Sequence, residues 1–103
     1  MTVGAWLRER GPAPTQLSAR VTQVMGDRMD RAADEASTAC LDAAEELLRE
    51  LLARPSAGRE SALDLLTVDA LVTYAFEAAS ATPESLDAHA TDAMRRFAAL
   101  ALP

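Results

Sequence analysis

The stretch Ser61-Ala-Leu-Asp-Leu-Leu-Thr-Val-Asp-Ala-Leu-Val-Thr-Tyr-Ala-Phe-Glu-Ala-Ala79 limits what this chain can fold into more than any other segment. At 100° per residue, Asp69, Thr73, Glu77 and the following Ser80 crowd into a sector of roughly 80°. Leu63, Val68, Leu71, Val72, Tyr74, Ala75, Phe76, Ala78 and Ala79 fill most of the rest. A helix apolar over about 240° of its circumference must be covered on at least two sides, so it is expected at the centre of a helical bundle.

The flanking segments supply the cover. Residues 3–10 form a short helical arm with Val3, Trp6, Leu7 and Arg10 near one side, too brief to be stable alone. The arm either frays or docks Trp6 on the bundle or on a second subunit. Gly11-Pro-Ala-Pro14 ends it as a corner or linker, so residues 1–14 are an arm and residues 15–103 the bundle. Thr15 is placed to cap a helix carrying Leu17, Val21, Val24 and Met25, with Gly26 as its stop and Asp27 as a fresh N-cap. A kinked continuation into the next helix is the other possibility at this joint.

A second long helix is expected over about residues 31–53, with Ala33, Ala36, Cys40, Ala43, Ala44, Leu47, Leu48 and Leu51 on one arc. It ends at Arg54-Pro55, and Ser56 or Gly58 starts the central helix. Thr82 and Pro83 give the start of a last helix reaching about Leu100, with Thr82 as cap and Pro83 at the first helical position. Alternating β-branched runs and Asn-Gly or Asp-Gly turns are missing. The expected fold is therefore all-α: a small antiparallel bundle of about four main helices, the third most buried, plus the N-terminal arm.

Composition bounds the function classes. The net charge is −6, which argues against nucleic acid, because backbone-dominated binders place basic groups against phosphates. Asp64, Asp69 and Glu77 interrupt the most apolar segment, so no membrane span is expected, and the N-terminus lacks the pattern of a signal peptide. A cytoplasmic protein is expected. Lys, Ile and Asn are absent and all ten basic residues are Arg, the signature of a GC-rich coding genome and hence of a bacterial source. The same bias discounts the alanine-rich faces as evidence of close packing.

Chemistry-bearing residues are few. Cys40, the single cysteine, falls on an apolar arc and reads as a core thiol. His89, the single histidine, lies at the edge of the last helix's apolar stripe, three positions before Asp92. The carboxylate-bridged dimetal bundles need Glu-x-x-His, which does not occur, so no metal is assigned. Asp27, Asp30, Asp34 and Glu35 read as a solvated helix start. Asp64 is most simply exposed near the start of the central helix, with pairing to Arg59 or to an Arg of a neighbouring helix as the alternative. No Gly-rich phosphate loop or Walker motif occurs, and no cofactor or enzymatic activity is expected.

Val68-Asp-Ala-Leu-Val-Thr-Tyr-Ala-Phe-Glu77 resembles the helix of all-α isoprenyl diphosphate synthases that carries an Asp-Ala-Leu-Leu-Thr-x-Ala-Phe-like string and lines a hydrophobic cavity. Their paired Asp-Asp-x-x-Asp metal motifs are missing here, and so is any Lys to hold diphosphate. The resemblance implies a small-residue buried helix and transfers no catalytic role.

These readings give two expected functions. The first is a small helical interaction or structural protein, homodimeric, presenting an acidic helical surface or an apolar groove to an unidentified protein partner. Its candidate interface is Trp6, Leu7, Asp69, Thr73, Glu77 and Ser80. The alternative is a binder of an apolar small molecule lodged between the last two helices and lined by Tyr74, Phe76, Met94 and Phe97.

Overall fold

In the computed structural model of the chain, which describes residues 1–11, 13–54 and 58–101, five α-helices follow one another. They are α1 (Val3–Arg8), α2 (Thr15–Met25), α3 (Ala36–Ala53), α4 (Arg59–Ala79) and α5 (Leu86–Ala101). The fold is all-α, as the periodicity predicts. Pairing of extended backbone among the described residues is confined to an isolated bridge between Thr2 and Ala32.

The helix ends follow local chemistry, with some shifts from expectation. Thr2 caps α1 by accepting from the Ala5 N–H at 3.1 Å. At α2 the cap position falls one residue early: the Pro14 carbonyl accepts from the Ser18 N–H at 2.9 Å, and Thr15 is already helical. Gly26 ends α2 with φ 54°, a left-handed value that favours glycine, so α2 and α3 are two helices rather than one kinked helix. The central helix starts after Gly58, whose carbonyl accepts from the Ala62 N–H at 3.0 Å; Pro55 and Ser56 lie outside the described residues. Thr82 and Pro83 occupy the expected positions, but the opening turn Pro83–Ser85 is a tighter 3-10 turn and the Thr82 side chain makes no cap bond.

Helix α3 begins at Ala36, not near residue 31. Its expected first turn is instead drawn out by two 3-10 turns, Gly26–Asp30 and Ala33–Glu35, with extended backbone at Arg31 and Ala32 between them. That extended strip holds the N-terminus. The Val3 N–H donates to the Arg31 carbonyl at 2.8 Å, and the Ala33 N–H donates to the Met1 carbonyl at 2.9 Å. Val3 is fully buried, and Gly4 is buried against Met29 so closely that an added Cβ would lie 3.2 Å from the Met29 carbonyl oxygen. The frayed-arm reading of residues 3–10 is thereby corrected: two backbone hydrogen bonds and a buried valine fix the segment.

The burial order of the helices also differs from expectation. The third main helix, α4, contributes five buried residues, whereas α3 contributes seven and touches every other helix. Ala36, Ala39, Cys40, Ala43 and Ala44 of α3 all have zero exposure. Small side chains let neighbouring backbones approach α3 from several directions, so the alanine arc is a packing surface and not mere compositional drift. On α4, by contrast, only the line Asp64, Thr67, Leu71, Ala75 and Ala79 is fully enclosed. Thr67 is accommodated because its hydroxyl donates to the Leu63 carbonyl at 2.8 Å, which leaves no unpaired polar atom on that line.

Candidate functional site

Asp64 is the one charged residue on the buried line of α4, with 4% exposure, which overturns the simple reading of a solvated helix end. The alternative holds instead, with different partners from Arg59. Arg20 of α2 grips the carboxylate as a fork, Nε to Oδ1 at 2.7 Å and Nη2 to Oδ2 at 3.3 Å. Arg54, at the end of α3, donates from Nη1 to Oδ2 at 2.9 Å. The guanidinium of Arg20 also holds Asp64 below the usual carboxylate range, overcoming the opposing effect of burial, with Arg54 adding to it. Three helices meet at one carboxylate. The lone acid in an apolar arc was a legible signal; partners 44 and 10 positions away were not.

A cavity of about 560 Å³ opens beside this cluster, with Arg20, Arg54, Arg59, Glu60, Ser61 and Asp64 in its wall. Its two best-placed cations are already spent on Asp64. A second cavity, of about 290 Å³, lies among α1, α2 and α4 and is bounded by Leu7, Arg8, Leu17, Val21, Met29 and Tyr74 together with Gly11, Ala13, Ser18 and Thr22.

The expected apolar pocket does not gather in one place. Tyr74 is half-buried and turned toward α1 and α2 at the smaller cavity, whereas Met94 of α5 is 72% exposed. Phe76 and Phe97 are half-buried against the core. The reason is that α5 has a narrow apolar stripe: only Ala93 is fully enclosed on it. What fastens α5 is instead Arg96, whose Nε donates to Glu45 at 2.6 Å and whose Nη2 donates to Asp42 at 2.8 Å, both on α3. The hydrogen bond from Arg96 holds Glu45 below its ordinary range.

The candidate interface residues divide into two groups. Asp69, Thr73, Glu77 and Ser80 form an exposed ridge along α4. Thr73 and Ser80 turn their hydroxyls back onto the Asp69 and Glu77 carbonyls at 2.9 and 2.6 Å, so the ridge presents chiefly carboxylates. Trp6 and Leu7 are half-buried; the Arg10 guanidinium sits 4.3 Å from the Trp6 ring centroid and reaches toward Glu77 at 3.9 Å.

Exposed leucines extend the ridge in a way not anticipated from sequence. Leu66 continues the Asp69–Thr73–Glu77 row by one helical step, and it is 58% exposed; Leu65 beside it is 55% exposed and Leu52 of α3 is 58% exposed. The signal for Leu65 and Leu66 was the excess of apolar circumference on the central helix, which no single residue in the sequence localised; Leu52 had none.

The remaining chemistry-bearing residues are ordinary. Burial pushes the Cys40 thiol up to about 12, leaving it protonated and inert. His89 is half-buried, and Asp92 is engaged by Arg95 at 2.8 Å and Arg96 at 3.5 Å. Asp27, Asp30, Asp34 and Glu35 are exposed. Among the described residues no group of three or more His, Cys, Asp or Glu side chains is placed to hold a metal ion, and no helix is long and apolar enough to cross a membrane. Compared with protein-family models, curated proteins and solved structures, the chain matches none.

Proposed function

We propose that this is a small helical interaction protein that self-associates through the ends of α3 and α4 nearest their connection, leaving an acidic surface for a further protein partner. The observation that carries this reading is the exposure of Leu52, Leu65 and Leu66, each more than half open to solvent, whereas the other leucines among the described residues are better covered. Exposed apolar side chains on two helices that pack together, as α3 and α4 do, favour association by removing that surface from water.

Charge favours a second copy as the occupant. The chain as a whole carries −6, so most of its surface repels another copy. Residues 49–64 are locally neutral, with Arg49, Arg54 and Arg59 balancing Glu50, Glu60 and Asp64. An interface centred there meets no net repulsion, and the carboxylates of Asp69 and Glu77 then form its rim. In a two-fold arrangement each leucine meets the same patch on its partner, the simplest closed solution for a self-complementary surface.

The test is the oligomeric state of the wild-type chain and of Leu65→Glu and Leu66→Glu by light scattering and sedimentation. The wild type is expected to be a dimer and each variant a monomer with unchanged helicity. A wild type that stays monomeric at high concentration, or variants that stay dimeric, would defeat the proposal.

A further inference from the structure

The two cavities differ in what their polar groups are free to do. At the larger one Arg20 and Arg54 are committed to Asp64, and Glu60 offsets the charge of Arg59. At the smaller one, among α1, α2 and α4, Arg8 and Tyr74 both line the wall, and neither side chain has a protein partner among the described residues. No acidic side chain lines this cavity, in a chain with sixteen Asp and Glu. Apolar surface from Leu17, Val21 and Met29 completes it.

We propose that this cavity binds a small organic acid, whose ring or short alkyl chain packs on Leu17, Val21 and Met29 while its carboxylate pairs with Arg8 and accepts from the Tyr74 hydroxyl. The sign of the ligand follows from the wall: one unpaired cation and no acid excludes a cationic guest and favours an anion. Its chemistry follows from the donors. The planar guanidinium fork and the phenol match a carboxylate, and the Ser18 hydroxyl at the same wall is a further donor. Its size follows from the volume, since about 290 Å³ is at the lower edge of the roughly 300–1,000 Å³ of small-molecule sites, which admits a single ring or a short chain and no nucleotide. The mixture of an apolar wall with a few uncommitted polar groups is the usual make-up of such sites. This site does not depend on self-association, because its lining is separate from Leu52, Leu65 and Leu66.

The experiment is a titration of the isotopically labelled full chain, followed by NMR, with benzoate and hexanoate as probes, benzamide as the uncharged isostere of benzoate, and sulfate as an anion without an apolar part. Benzoate or hexanoate is expected to shift the methyl signals of Leu17, Val21 and Met29 saturably. Arg8→Gln, a change at an exposed position, is expected to weaken that binding about tenfold, the loss typical of a charge-assisted pair. Tyr74→Phe is expected to weaken it about tenfold as well, because the hydroxyl donates to an ionised acceptor. The backbone spectrum of each variant verifies that it is folded. Non-saturating shifts, equal responses to benzoate and benzamide, undiminished binding in Arg8→Gln, or a response to sulfate without methyl shifts would each overturn the proposal.

Discussion

Arg20 on α2 and Asp64 on α4 are joined across 44 positions of sequence by two hydrogen bonds, from Nε to Oδ1 at 2.7 Å and from Nη2 to Oδ2 at 3.3 Å. Asp64 is almost fully enclosed, while the side chains of Arg20 and Arg54 retain 25% and 33% exposure. Removing the carboxylate charge therefore orphans two cations that water can still partly reach. Asp64→Asn is expected to cost about 2–3 kcal/mol, below the 3–5 typical of a fully buried pair that loses one partner. Arg54→Gln should cost only about 1 kcal/mol, because the Arg20 fork survives. Urea unfolding of the two variants measures both, and an Arg54→Gln loss as large as that of Asp64→Asn would contradict this ranking.

Acid should unfold the protein partly through two carboxylates. Asp64 and Glu45 both titrate below their ordinary range in the folded chain, held there by Arg20 and Arg96 respectively. Above the unfolded-state values, about 3.9 for Asp and 4.3 for Glu, both states are ionised and the full contribution is present. Below them the unfolded chain takes up protons first, so stability falls with pH and the contribution is gone once the folded-state values are passed. Unfolding midpoints in urea measured between about pH 2 and 7 should decline below pH 4.5, and Asp64→Asn should flatten that decline.

How far the sequence disclosed this molecule depended on whether a feature was local. Helix-ending glycine at Gly26 and the break at Ser80 were readable because φ preferences and capping operate within a few residues. The burial order was not, since alanine has the same composition signal whether it is drift or a packing surface. Only the arrangement of the other helices around Ala36, Ala39, Ala43 and Ala44 distinguishes the two. Likewise Ala32 and Ala33 fit the helical period, and what pulls them out of α3 is a tertiary contact with Met1 and Val3. For the candidate sites, the ridge of α4 was legible from its angular spacing. The cavity holding Arg8 and Tyr74 was not, because it joins three helices whose mutual placement no periodicity encodes.

Cys40 should behave as a reporter of global opening. Its thiol is buried and pushed up to about 12, so almost none is thiolate at pH 8. Iodoacetamide is expected to leave it unmodified in the native protein and to react promptly in urea. If the native protein were alkylated as fast as the unfolded chain, the core around α3 would have to open locally without global unfolding.

Truncation at the N-terminus tests whether the first residues belong to the core. Val3 has no exposure, and its removal to alanine deletes two buried carbons, at roughly 0.8 kcal/mol each before any cavity cost. Val3→Ala is therefore expected to destabilise the fold by about 2 kcal/mol, and Leu71→Ala, with a longer side chain at an equally enclosed position, by about 3 kcal/mol. Met94→Ala, at 72% exposure, should change stability by less than about 0.5 kcal/mol. Paired denaturation curves of the three variants give the ordering directly. A negligible effect of Val3→Ala would mean that the Arg31 and Met1 carbonyl hydrogen bonds do not hold the segment in solution, and that α1 is a detachable arm.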